Sequence, residues 1–197
     1  MMRQAFQTQV VEAGCDEAGR GCLAGPVVGA AVALPRKYYL PGLNDSKKVS
    51  EKKRLVLQQK IEQQALAWAV GYVYPPEIDT INILNAAIQS MHLALSKLML
   101  TPGFILVDGN RFKPFNGTPF KCVIKGDAQF AHIAAASILA KTYRDAYMKK
   151  HHIAFPHYGW ASNKGYPTKK HRAAIARYGS CPHHRKSFKL LPKGELF

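Results

Sequence analysis

Four acidic residues stand where solubility alone would not put them. Asp16 and Glu17 are adjacent and end the apolar stretch 10–15. Asp108 ends the wholly apolar stretch 104–107, and Asp127 precedes a long helical pattern in KGDAQF. If the four converge, two unit charges about 4 Å apart repel by roughly 4 kcal/mol at an effective dielectric near 20. Such a cluster must hold protons or a cation. Oxygen-only ligands, without His or Cys, select a hard ion such as Mg²⁺ or Mn²⁺. An acidic cluster, a hard divalent ion and a basic surface together point to metal-assisted phosphodiester hydrolysis. Each acid also has a plainer reading. Asp16 and Glu17 can be solvated on a surface hairpin, Asp108-Gly109 can be a turn, and Asp127 can favour a helix N-terminus.

The elements that must position these acids are legible as a mixed α and β pattern without repeats. Strands are expected over residues 10–15, 27–34, 68–74, 104–107 and 120–124. Pro75-Pro76 stops the third, and an Asn116-Gly117 turn precedes the last. Helices are expected over 51–65 after a Ser50 cap, 78–100, 128–150, and from a Thr168 cap to Tyr178. Neighbouring strand residues point to opposite faces, so Asp16 and Glu17 share a face only if the strand ends or bulges there. The Gly19-Arg20-Gly21 turn that follows is where the backbone has that freedom. Asp16 and Asp108 both follow apolar strands, and strand ends at one sheet edge are where α/β ligand sites collect.

Charge narrows the partner. The 197 residues are 47% hydrophobic and carry a net charge of +16, a globular chain suited to nucleic acid. Residues 141–197 hold 13 of the 28 Lys and Arg but only Asp145 and Glu195 as acids, so this end is suited to tracking a duplex backbone. The histidines gathered there are read as polar or phosphate-facing. Cys181 with His183 and His184 lacks the second half of a zinc site. The four cysteines show no C-x-x-C spacing, which fits a reducing compartment. No apolar run is long enough to span a bilayer, and the N-terminus lacks a continuous apolar core. A cytoplasmic monomer with no membrane contact is expected.

Five motifs, CDEAGRG, LNDSKK, VDGN, KGD followed by IAAASILAKTYRD, and NKGYPTKKH, occur in an order that resembles bacterial ribonuclease HII, the type 2 ribonuclease H. The likeness runs over nearly the whole chain. It implies a ribonuclease H-like mixed β-sheet flanked by helices, with a catalytic core over 1–150 and a basic helical segment over 151–197 packed on the same domain. It implies an endonuclease that cuts the RNA strand of RNA–DNA hybrids and cuts 5′ of single ribonucleotides in duplex DNA, leaving 3′-OH and 5′-phosphate. The implied catalytic and metal-holding carboxylates are Asp16, Glu17, Asp108 and Asp127, with Mg²⁺ or Mn²⁺ in a two-ion arrangement. The Gly-Arg-Gly motif falls on Gly19, Arg20 and Gly21, and the junction-sensing tyrosine on Tyr166. Cys22 departs from the pattern, since many relatives carry proline there; the turn loses a stiffening ring but no catalytic group.

Further substrate contacts follow from charge and spacing. Lys47 and Lys48 sit in a loop where they would grip phosphates. Ser137, Lys141 and Arg144 recur at helical spacing on one helix face and could meet the backbone. Two rival readings are a non-catalytic nucleic-acid-binding module, which has no use for the four acids, and ribonuclease HIII, which carries an additional N-terminal domain. No clamp-protein docking site is readable from the sequence.

Overall fold

A computed structural model describes residues 2–7, 9–36, 38, 40–43, 46 and 49–191, which leaves Lys47 and Lys48 outside the described residues. Its centre is a five-stranded sheet in the order β3-β2-β1-β4-β5. The strands are β1 (Glu12–Ala18), β2 (Val27–Ala33), β3 (Ala67–Val73), β4 (Phe104–Asp108) and β5 (Phe120–Val123). β1, β2 and β3 are antiparallel neighbours, whereas β4 and β5 run parallel to β1. The helices are α1 (Glu51–Gln64), α2 (Pro75–Ile81), α3 (Ile83–Ser96), α4 (Ala131–His152), α5 (Trp160–Asn163) and α6 (Lys169–Tyr178).

The sheet is covered on both faces. Ala13, Cys15, Ala31, Ile105 and Val107 pack with Ile88, Met91 and Leu95 of α3 on one side. Ala30 and Val32 pack with Ala135, Leu139 and their neighbours on α4 on the other. The small residues of α4 let it approach the sheet closely. A Cβ on Gly14 would lie 2.2 Å from the His132 carbonyl carbon, so no larger residue fits β1 at that point. α1 adds Leu57 and Ile61 to the α4 side, each contributing about 1.5–3 kcal/mol by burial. A separate cluster joins Tyr158, Trp160, Ala174 and Ile175 to Leu23 and Ala24, so the C-terminal segment packs on the turn after β1.

Most element boundaries shift by one to three residues from the sequence expectation, the long helix running Ala131–His152 with Ala128 in the turn before it, and two larger differences have an evident cause. β1 continues to Ala18 because β2 goes on pairing with it, Asp16 opposite Ala30 and Glu17 opposite Gly29. The helix expected over 78–100 is two helices. Asn82, with φ 66°, breaks the chain, and its side chain accepts from Leu84 N (3.0 Å) and Asn85 N (3.1 Å) to cap α3. Pro75 and Pro76 end β3 and also start α2, where a missing N–H costs nothing. The Ser50 and Thr168 caps form as expected, accepting from Lys53 N and His171 N.

Candidate active site

The register of β1 and β4 builds the site. Cys15 pairs with Val107, so Asp16 and Asp108 are the next residues along two adjacent parallel strands. Both lie on the face that α4 covers. Glu17, one residue further, points to the α3 face because the strand is regular there. It lines a cleft of about 250 Å³ with Arg20, Asp108, Asn110 and Arg111, floored by Ala87, Ile88 and Met91. Asp127 lies, buried, in the short 3₁₀ turn Gly126–Ala128 just before α4. That turn is tied to the strand end, for Asp108 Oδ1 accepts from Gly126 N at 2.7 Å. Asp127 is thus carried to the same corner of the sheet.

Asp16 is nearly buried, and its Oδ1 accepts from Glu17 N at 2.7 Å. Burial, then the charges of Glu17 and Asp108, push its carboxyl well above the ordinary carboxylate range. Hydrogen bonds from Ser137 and the Glu17 amide act the other way without cancelling this. Arg20 Nη1 lies 3.3 Å from Glu17 Oε1, an exposed pair that adds little stability and leaves the guanidinium at the cleft rim. Among the described residues, no three His, Cys, Asp or Glu side chains already close on a common point that would hold an ion.

The other residues expected to meet substrate are placed differently from one another. Ser137 is buried beside Asp16, and its Oγ lies 2.9 Å from Ser46 Oγ. Lys141 Nζ is 2.7 Å from Asp145 Oδ1 and 5.4 Å from the centre of the Tyr166 ring. Arg144 requires a correction. It is fully buried and donates to the carbonyls of Pro26, Lys164 and Ala24 at 2.8–3.0 Å, so it braces loops and does not present itself to a backbone phosphate. Gly19, at φ 97°, sits directly on it. A Cβ there would be 2.0 Å from Arg144 Nε, so only glycine fits. Gly21 is exposed at the end of the turn. Tyr166 is partly exposed, and its hydroxyl interacts with the Cys22 thiol.

Sequence reasoning missed three residues behind this surface. Arg185, His171 and His184 are buried, although each lies in a stretch read as basic and outward-facing. Arg185 donates to Arg20 O and Gly25 O. His171 Nδ1 is 2.9 Å from Tyr166 O, and its Nε2 receives Trp160 Nε1–H at 3.0 Å. The one available signal was the apolar company of these residues, Trp160 and Ile175 on one side and Phe188 on the other.

A mixed sheet with this strand order, helices on both faces and carboxylates side by side on β1 and β4 defines a ribonuclease H-like α/β fold. Ribonuclease H2 from Pyrococcus horikoshii OT3 superposes with a TM-score of 0.76 at 27% identity, over 91% of this chain and 94% of its own. Bst-RNase HIII in complex with Mn²⁺ shares the fold at a TM-score of 0.74 and 18% identity, over 94% of this chain and 69% of its own. Residues 13–191 match the family model for Ribonuclease HII, and the Ribonuclease HII of Bacteroides fragilis is 59% identical over 196 residues, covering 100% of this chain and 98% of that protein. The chain belongs to the ribonuclease HII family. It is a ribonuclease H, an endonuclease acting on RNA–DNA hybrids, and this removes the non-catalytic alternative.

Proposed function

We propose that this enzyme cuts 5′ of single ribonucleotides embedded in duplex DNA, as well as within longer hybrids, leaving 3′-OH and 5′-phosphate ends. The observation that carries the reading is the Asp16–Asp108 pair. Two carboxylates in register on adjacent strands, one buried and with its ionised form disfavoured by its neighbours, call for a positive charge that no basic side chain supplies to Asp16 among the described residues. The donor set is all oxygen, which fits Mg²⁺ or Mn²⁺. Asp16 and Asp108 would hold the ions, with Glu17 reaching from the cleft side and Asp127 from the turn before α4. When bound, a pair of such ions supplies a hydroxide nucleophile and stabilises the leaving 3′-oxygen.

The remaining work belongs to the chain. Ser137 and the Glu17 amide orient the Asp16 carboxylate, and Gly126 N orients Asp108. The Gly19-Arg20-Gly21 turn borders the cleft, where backbone N–H groups can meet the ribose 2′-OH, the group that distinguishes RNA from DNA. Tyr166 offers a ring face for the sugar on the 3′ side. Incubation of the purified protein with a DNA duplex bearing one ribonucleotide, and with an RNA–DNA hybrid, tests this with and without Mg²⁺ or Mn²⁺. A single cut 5′ of the ribonucleotide, dependent on the ion, is the expected result. Cleavage of the hybrid alone, or cleavage that persists in chelator, would overturn the reading.

A further inference from the structure

Two arginines lie fully buried behind the turn that follows β1, and neither forms an ion pair among the described residues. Arg144 was described above. Arg185 spends its guanidinium on two carbonyls: Nε and Nη2 donate to Gly25 O at 3.0 and 2.9 Å, and Nη1 donates to Arg20 O at 2.9 Å. Burying a cation without a counterion is costly, and attaching the C-terminal segment does not require it. That attachment is already made by the apolar cluster around Tyr158 and Trp160. Burial, then the charge of Arg144, draws the Arg185 pKa down to about 10, so it stays a cation at neutral pH.

What Arg185 holds is the peptide between Arg20 and Gly21. The Arg20–Gly21 peptide is trans, as are all those among the described residues, and in a trans peptide the C=O and N–H point opposite ways. With the Arg20 carbonyl drawn inward, the Gly21 N–H faces the exposed side of the turn. A side chain on Gly21 would meet nothing within 4 Å there. The cation also polarises the peptide, which strengthens the N–H as a donor. Glu17, just before this turn, and Arg20, within it, line the cleft with Asp108.

The geometry points to Arg185 as a positioning residue for ribonucleotide recognition: it fixes the Arg20–Gly21 peptide so that the Gly21 N–H can donate to a ribose 2′-OH. This rests on the reading of Gly19-Arg20-Gly21 as the turn that meets the ribose. The residue comes from the far end of the sequence, 165 positions away, so the C-terminal segment takes part in substrate choice through the back of the turn.

Selectivity kinetics on Arg185→Met and Arg185→Lys test the inference. For each variant, kcat and KM are measured on duplex DNA with one ribonucleotide, together with the Ki of the all-deoxy duplex of the same sequence and the thermal midpoint. The deoxy duplex reports phosphate contacts, which Arg185 does not make. Arg185→Met should lose on the order of 10²-fold in kcat/KM with Ki unchanged. Arg185→Lys keeps the cation but cannot reach both carbonyls, and should fall between, about tenfold down. If Arg185→Met fails to fold, Arg185→Lys decides. A Lys variant with unchanged kcat/KM, or one whose KM and Ki rise together, would overturn the positioning role. Wild-type protein that does not cut the ribonucleotide-bearing duplex would sink the underlying reading and take this inference with it. Wild-type cutting with an unaltered Lys variant sinks this inference alone.

Discussion

Asp16 and Asp108 stand in the same register on adjacent parallel strands, one residue beyond the Cys15–Val107 pair, with Asp108 ending β4 while β1 runs on to Ala18, and both lie beneath α4. Parallel neighbours stand about 4.8 Å apart, so two carboxylates set there repel unless something positive enters between them. The fold holds a charge that costs stability until its partner binds.

Asp16→Asn should separate those two effects. The amide oxygen can still accept from Glu17 N while the buried charge is gone. Measured in chelator, the thermal midpoint should rise by about 2–6 °C. Cleavage of a ribonucleotide-bearing duplex should fall at least about 10²-fold at saturating Mg²⁺. A lower midpoint would show that Asp16 is a stabilising residue, and retained cleavage would remove it from the site.

Much of this arrangement could be read from the sequence because it depends on local pattern. Apolar runs ending in acids located Asp16 and Asp108, and Ser50 and Thr168 announced their helices. The faces of Asp16 and Glu17 could not be read, since glycines after a strand permit either an end or a continuation, and pairing with β2 decides. The break at Asn82 was hidden because Ile81 and Ile83, on either side of it, both pack against the same apolar cluster. Arg144 and Arg185 were opaque for a different reason. Their partners are backbone carbonyls, all but Lys164 O more than a hundred residues away, and a carbonyl has no letter in the sequence. A basic residue on a basic segment is assigned outward by default, and here that default fails.

The buried histidines make acid stability a direct test of the C-terminal packing. His171 Nδ1 faces the Tyr166 carbonyl and must donate, so in the neutral ring its Nε2 accepts from Trp160. His184 Nδ1 accepts from Cys181 N at 3.0 Å, so its proton sits on Nε2 and points to His171 Nε2 at 3.2 Å. A second proton on either ring would face a donor. Burial lowers both pKa values, that of His184 to about 4, and burial likewise lowers His132 to about 4. These folded values lie below the unfolded value near 6.5, so the unfolded chain binds more protons in acid. Stability is therefore fully present above about pH 6.5 and is lost as pH falls toward about 4. The urea midpoint should be flat near pH 7.5 and drop between pH 6 and pH 4.5. A midpoint that does not move by pH 4.5 would refute the neutral network.

Surface charge gives a test independent of the catalytic residues. Lys150, Lys169, Lys170, Arg177, Lys186 and Lys189 are exposed, while Lys164 and Arg185 are not. If about five phosphates are met, log K plotted against log salt should fall with a slope on the order of −4 to −5. Replacing Lys169 and Lys170 with Gln should flatten that slope by about 2 and weaken ribonucleotide-bearing and all-deoxy duplexes alike. An unchanged slope would place the start of α6 away from the duplex.

Tyr166 carries the last prediction, and its surroundings sharpen it. The ring is 37% exposed, with Lys141 Nζ 5.4 Å and Arg144 Cζ 5.9 Å from its centre. Its carbonyl accepts from His171 and from Thr168 N, which fixes the backbone, and its hydroxyl rests on Cys22. The partly exposed ring offers its face for contact. Stacking on a sugar needs only the face, and a second 2′-OH on the 3′ side would crowd it. Tyr166→Phe should therefore keep cleavage of an embedded ribonucleotide within a few-fold of wild type. Tyr166→Ala should lower it by about 10–10²-fold, since stacking is worth about 1–3 kcal/mol, with much less effect on an RNA–DNA hybrid. The thermal midpoint should move little in either variant, because the loop is held by its backbone. Parallel loss of both activities with folding in Tyr166→Ala would reduce Tyr166 to a packing residue, and a Phe variant as impaired as Ala would return the role to the hydroxyl.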